Sequence, residues 1–164
     1  MKKRYFLQAG ATMVGAAWLS HYFTGRSEVM ATAKKEFEIT KTEKEWRKIL
    51  TPEQFQVLRK HGTERAGTSP LDKQYAKGTY ACAACNLPLF TSITKFDSGT
   101  GWPSFYSPIQ GAIATTADES LLMTRVEVHC RRCGGHLGHV FDDGPAPTGK
   151  RYCMNGVAMK FLKG

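Results

Sequence analysis

The sequence predicts a mainly β, antiparallel domain opened by two short helices. Three observations predict it. Apolar residues at helical spacing are confined to positions 42–62, short apolar runs cut by turn residues fill the chain from Gly78 onward, and two Cys-x-x-Cys pairs lie 44 residues apart, able to tie distant strands together. A length of 164 residues suits one core of ordinary size.

The start of the chain has a different character. Lys2, Lys3 and Arg4 precede a mildly apolar stretch from Tyr5 to about Phe23, and Ala31-Thr32-Ala33 supplies a small-x-small cleavage site. Residues 1–33 are therefore expected to be an export signal that is removed, with the mature protein in a periplasmic or equivalent compartment. Gln8, His21 and several glycines and threonines suit this stretch poorly to a permanent span, although an uncleaved anchor is the competing reading. Lys3-Arg4-Tyr5-Phe6-Leu7-Gln8 resembles a twin-arginine motif with lysine in the first arginine place, so that route and general secretion both fit. Residues 34–41 read as a linker and 42–164 as the domain. Four basic residues and one acid leave with the signal, taking the formal charge from +9 to +6. Lysine and arginine alternate with glutamate in a solvated-looking N-terminal segment, so the basic balance carries no nucleic-acid partner. With no repeat or second apolar span after residue 33, the mature chain is expected to be one soluble domain without stable membrane insertion; a monomer is the expected state.

In the domain, Thr42-Glu43-Lys44-Glu45 has the order of a capping box, with Trp46, Ile49 and Leu50 following at helical spacing. Thr51-Pro52 starts a second helix, with Phe55 and Leu58 on one side and Gly62 as its stop. Strands are expected at Thr79–Cys82, Leu87–Thr91, Ile113–Thr116, Leu121–His129, Leu137–Phe141 and Val157–Leu162. The segment Thr94 to Pro108, with aromatics among glycines, prolines and serines, reads as a surface loop carrying a site.

Four of the five cysteines form the pairs Cys82-x-x-Cys85 and Cys130-x-x-Cys133. Each pair curls a turn around a metal and supplies two corners of a tetrahedron, so together they predict one structural Zn2+. Two local disulfides and a thioredoxin-like redox pair compete, but no βαβ pattern surrounds either pair. Cys153 stands apart in Arg151-Tyr152-Cys153-Met154-Asn155, where strand alternation puts Arg151, Cys153 and Asn155 on one face. A thiol attacks as thiolate, and Arg151 is a candidate for the charge that would favour it; a small buried hydrophobe is the bland alternative. His136 and His139 offer acid, base or hydrogen-bond chemistry, and reach one site only if Gly138 permits a bulge. Both could instead ligate zinc, but four thiolates already fill a shell. Trp102, on a glycine-flanked loop, suits contact with a small methyl-bearing ligand or a place in the core.

Cys82-x-x-Cys85, Gly-Trp-Pro-Ser-Phe at 101–105, Cys-x-x-Cys-Gly-Gly-His-Leu-Gly-His at 130–139 and Arg-Tyr-Cys-Met-Asn at 151–155 together resemble the B-type methionine sulfoxide reductase family, in order and spacing over nearly all of 42–162. The resemblance implies two antiparallel sheets with N-terminal helices, structural zinc on the four paired cysteines, and reduction of the R epimer of methionine sulfoxide in peptides and proteins. It places the nucleophile at Cys153, the acid and hydrogen-bonding groups at His136 and His139, the methyl-contacting indole at Trp102, and supporting polar groups at Asn155, Arg151 and Asp143. Many family members carry a resolving cysteine where this chain has Thr100, so the Cys153 sulfenic acid is expected to be recycled by an external thiol such as a thioredoxin-like protein. The competing functions are a zinc-organised binding module, for which Cys153 would be dispensable, and a general thiol oxidoreductase working through the Cys-x-x-Cys pairs.

Overall fold

The computed structural model of the chain describes residues 37–119 and 124–164; the expected export signal lies outside them, as does the first part of the expected strand Leu121–His129. Among the described residues two capped helices come first. Helix α1, Glu43–Ile49, begins where the Thr42 hydroxyl accepts the Glu45 N–H and the Glu45 carboxylate accepts the Thr42 N–H. Helix α2, Pro52–Lys60, repeats the device with Thr51 and Gln54, and buries Phe55, Val57 and Leu58. Each cap satisfies otherwise orphaned N–H groups and contributes about 1 kcal/mol. The left-handed residue that ends α2 is His61 (φ 56°), not Gly62. Glycine at 62 serves closeness instead, since an added Cβ would stand 3.0 Å from the Gln56 carbonyl oxygen.

Among the described residues nine strands follow: β1 Gly78–Cys82, β2 Pro88–Thr91, β3 Lys95–Phe96, β4 Ser104–Phe105, β5 Ile113–Asp118, β6 Arg125–Cys130, β7 His136–Phe141, β8 Arg151–Met154 and β9 Met159–Lys163. They form two sheets, three-stranded in the order β2-β1-β9 and six-stranded in the order β3-β4-β8-β7-β6-β5, all antiparallel. The segment expected to be a loop therefore contains β3 and β4, two-residue strands that pair with each other, β4 also pairing with the distant β8. Val157–Leu162 divides into a 3-10 turn, Gly156–Ala158, and β9.

The core fills the space between helices and sheets with Trp46, Leu58, Tyr80, Phe90, Phe105, Val128, Leu137 and Met154, all buried. Phe90 stacks on Phe105 at 4.3 Å between centroids and Tyr80 meets Phe105 edge-on at 4.9 Å. Fully burying each such side chain is worth about 1.5–3 kcal/mol, which makes this cluster the main anchor of β4 and β8. Phe37 and Ile39 also pack onto the body, Phe37 edge-on to His129 at 5.6 Å and Ile39 N–H to the Arg132 carbonyl at 3.0 Å.

Candidate active site

Strand β8 lies in the middle of the larger sheet, and its register decides what surrounds Cys153. Directly opposite Cys153 are His139 on β7 and Ser104 on β4; opposite His139 is Glu127 on β6. Cross-strand partners share a face, so Ser104, Cys153, His139 and Glu127 form one polar row. Two residues along, and so on the same face, Arg151 lies opposite Phe141 and Arg125 opposite Asp118.

A β-bulge brings the two histidines together. Val128 pairs with Gly138 but His129 with His136, leaving Leu137 as the extra residue, and the His136 and His139 rings meet edge-on at 5.4 Å. Gly138 is required by space: an added Cβ would stand 2.2 Å from the Cys153 carbonyl oxygen.

A pocket of about 140 Å³ opens on this face, lined by Thr63, Trp102, Arg125, Gly138, His139, Phe141, Cys153 and Asn155. Burial pushes the Cys153 thiol above its ordinary 9.0, and Thr100, Arg151 and Ser104 each pull against it without reversing it. The expected activation by Arg151 is thus present as one opposing influence, outweighed by desolvation. Arg151 is itself held by a bidentate pair with Asp143, at 2.9 and 2.8 Å, and lies over the Phe141 ring. Thr100 Oγ1 is 3.8 Å from the Cys153 sulfur, at the end of a hydroxyl chain through Ser98 (2.8 Å) to Ser104 (2.7 Å).

His139 and His136 face different partners. His139 lines the pocket and bonds through Nε2 to Asp118 at 2.8 Å; burial lowers its pKa and Asp118 opposes the drop. His136, buried, is not among the pocket-lining residues. Its Nδ1 meets Glu127 at 2.7 Å, and His61 approaches the same carboxylate oxygen at 3.0 Å. Hydrogen bonding to His136 is the main reason the Glu127 carboxyl is lowered. Of the seven residues named from the sequence, the fold gathers Cys153, Trp102, His139 and Asn155 around one cavity, sets Arg151 and Asp143 beside it, and places His136 behind His139. Glu127, Asp118 and Arg125 escaped the sequence reading, because only strand pairing joins them to the histidines.

Trp102 is fixed by backbone. Its Nε1–H donates to the Glu64 carbonyl at 3.1 Å, and the Gly101 carbonyl before it accepts the Gly67 N–H at 2.7 Å. Asn155, also buried, donates from Nδ2 to the Leu137 carbonyl at 3.1 Å.

The second cluster is made of sulfur. Cys82 and Cys133 Sγ are 3.8 Å apart and Cys85 and Cys130 Sγ 3.5 Å, with all four within 4.8 Å of one another. All are free thiols, so the local-disulfide reading does not describe this structure. Four sulfurs at 2.3 Å from a central ion stand about 3.8 Å apart in a tetrahedron, and the donor set matches that spacing. The cluster can hold a metal ion.

Residues 50–163 match the SelR domain family. The chain is 54% identical to the peptide methionine sulfoxide reductase MsrB of Leptospira interrogans over 128 residues, 77% of this chain and 98% of that protein. It is 57% identical to the MsrB of Methanosarcina barkeri, over 75% of this chain and 87% of that protein. With the MsrB of Agrobacterium fabrum the figures are 54%, 76% and 93%.

Proposed function

The chain belongs to the SelR-domain family of B-type peptide methionine sulfoxide reductases, and from that premise we propose that it reduces methionine-R-sulfoxide in peptides and proteins, with Cys153 as nucleophile. The observation that carries this reading is the small pocket in which a thiol, an imidazole, an indole and a carboxamide converge. Its volume suits the end of one methionine side chain.

The sulfoxide sulfur is electrophilic, but its oxygen leaves only when protonated. The Cys153 thiolate attacks that sulfur while His139, with Asp118 against its Nε2, delivers a proton to the oxygen. With a second proton from solvent the S–O bond breaks and water leaves, the cysteine and methionine sulfurs remaining joined; water then attacks the cysteine sulfur and breaks that bond, so methionine departs reduced and Cys153 becomes a sulfenic acid. Trp102 contacts the sulfur-bound methyl and so selects the epimer; Asn155 and Arg151 hold the polar surroundings. Thr100 cannot form a disulfide, so an external thiol attacks the sulfenic sulfur, releasing water and leaving a mixed disulfide that a second thiol resolves. One Zn2+ held by Cys82, Cys85, Cys130 and Cys133 plays a structural part.

Wild type should reduce a dabsylated methionine-R-sulfoxide, leave the S epimer essentially untouched, and lose activity on Cys153→Ser. Without reductant, one equivalent of substrate should release about one methionine per chain and leave Cys153 trappable by dimedone, as the sulfenic step requires. Equal rates on both epimers would defeat the pocket argument. A new intramolecular disulfide after oxidation would defeat the external-thiol step alone.

A further inference from the structure

Trp102 and Cys153 lie on separate segments, the 99–103 loop and β8, and one residue touches the supports of both. Glu64 follows α2 in a strap of which the preceding residue, Thr63, lines the pocket. Its N–H donates to Asn155 Oδ1 at 2.9 Å, its carbonyl accepts the Trp102 Nε1–H at 3.1 Å, and its carboxylate accepts the N–H groups of Gly156 and Val157, the latter at 2.9 Å. Those two N–H groups open the 3-10 turn Gly156–Ala158, for which Asn155 supplies no side-chain cap. Glu64 thus caps from 92 residues away the turn that directly follows the nucleophile strand. The strap is tight beyond this contact, since an added Cβ at Gly156 would stand 1.8 Å from Ser69 Oγ.

We infer that Glu64 is a positioning residue for the proposed reduction: its carboxylate locks the segment after Cys153 to the same residue whose carbonyl holds the Trp102 indole, fixing methyl pocket and thiol in one geometry. The inference rests on the reductase reading. A charged carboxylate accepts the two backbone N–H groups with separate oxygens, whereas an amide of the same size has one acceptor oxygen and turns an NH2 donor toward the other N–H. Misplacement of substrate-contacting groups by about 1 Å costs up to ~10²-fold in rate.

The test compares Glu64→Gln, Glu64→Ala, Trp102→Ala and the double variant Glu64→Gln/Trp102→Ala on methionine-R-sulfoxide, with alkylation of Cys153 by iodoacetamide as a parallel readout. Glu64→Gln should lower kcat/KM about 10-fold and Glu64→Ala up to about 100-fold, while alkylation changes by less than about two-fold, because the thiol keeps its own surroundings. The double variant should be within about two-fold of Trp102→Ala, since residues acting through one another do not add. Multiplied losses in the double variant, turnover by Glu64→Gln within two-fold of wild type, or alkylation falling in step with turnover would overturn the inference. Should Glu64→Ala fail to fold, the isosteric Glu64→Gln carries the comparison alone. Failure of wild type to reduce the R epimer would instead overturn the reductase reading and the inference with it.

Discussion

At the scale of single residues, Cys153 is held by opposing influences whose balance can be measured. Burial raises its pKa; the Thr100 hydroxyl, the Arg151 charge and Ser104 lower it, and burial prevails. In the free enzyme, alkylation of Cys153 should therefore keep rising with pH past 9, as the thiolate fraction grows. Arg151→Met removes a lowering influence, so the thiol should titrate higher still and react several-fold more slowly with iodoacetamide at pH 8. Faster alkylation of that variant would show that Arg151 does not act on the thiol. Cys153 and Trp102 were legible in the sequence, because each sits in a short motif whose chemistry is local. Asp118 and Glu127 were not: their partners His139 and His136 stand 21 and 9 residues away, joined through strand register that no local pattern reveals. Glu64, in no strand, was hidden because its carboxylate is spent on backbone 92 and 93 residues distant.

At the scale of elements, what could be read depended on how local the cause was. Both helices start where their capping boxes put them, since Thr42 and Thr51 reach only three residues forward. The end of α2 was misplaced by one residue. A non-glycine residue in the left-handed region costs about 1–2 kcal/mol, and His61 takes that position while its ring lies 5.3 Å from His136 and its Nδ1 3.0 Å from Glu127. Strands β3 and β4 were missed because two residues carry no period; β4 exists by pairing with β8 and burying Phe105, and β3 by pairing with β4. The bulge in β7 was anticipated at Gly138, and the extra residue is Leu137 beside it. Gly138→Ala would drive a methyl into the Cys153 carbonyl, 2.2 Å away, on a backbone that cannot yield without parting β7 from β8. Overpacking of this kind costs about 1–3 kcal/mol, so urea unfolding should show that loss, with turnover falling as His139 moves off Cys153. An unchanged midpoint and unchanged turnover would mean the two strands can slide apart freely.

At the scale of the whole molecule, the four cysteines bear on every layer. Cys82 ends β1 in the small sheet and Cys130 ends β6 in the large one. Helix α2 reaches the same point, as both Nη atoms of Arg59 donate to the Cys133 carbonyl at 3.0 and 3.1 Å. Only Gly134 and Gly135 separate Cys133 from His136, the first residue of β7, so the second hook also sets where the strand bearing His139 begins. Structural zinc in small thiolate sites supplies about 10–16 kcal/mol of apparent binding free energy at pH 7. The net stability of a domain is only about 5–15 kcal/mol, so loss of a zinc held by these cysteines would remove an amount comparable to the whole. Purified protein should hold about one zinc per chain, a ratio fixed by the four-thiolate shell. Stripping the metal with a strong chelator, or Cys130→Ser, should abolish the cooperative thermal transition seen by circular dichroism, and activity should vanish in step with folded structure rather than before it. Because the cluster touches both sheets and α2, partial loss confined to one end of the molecule is not expected. A metal-free protein that kept a sharp transition within a few degrees of wild type would show that the apolar core around Phe90, Phe105 and Leu137 holds the sheets together without the sulfurs.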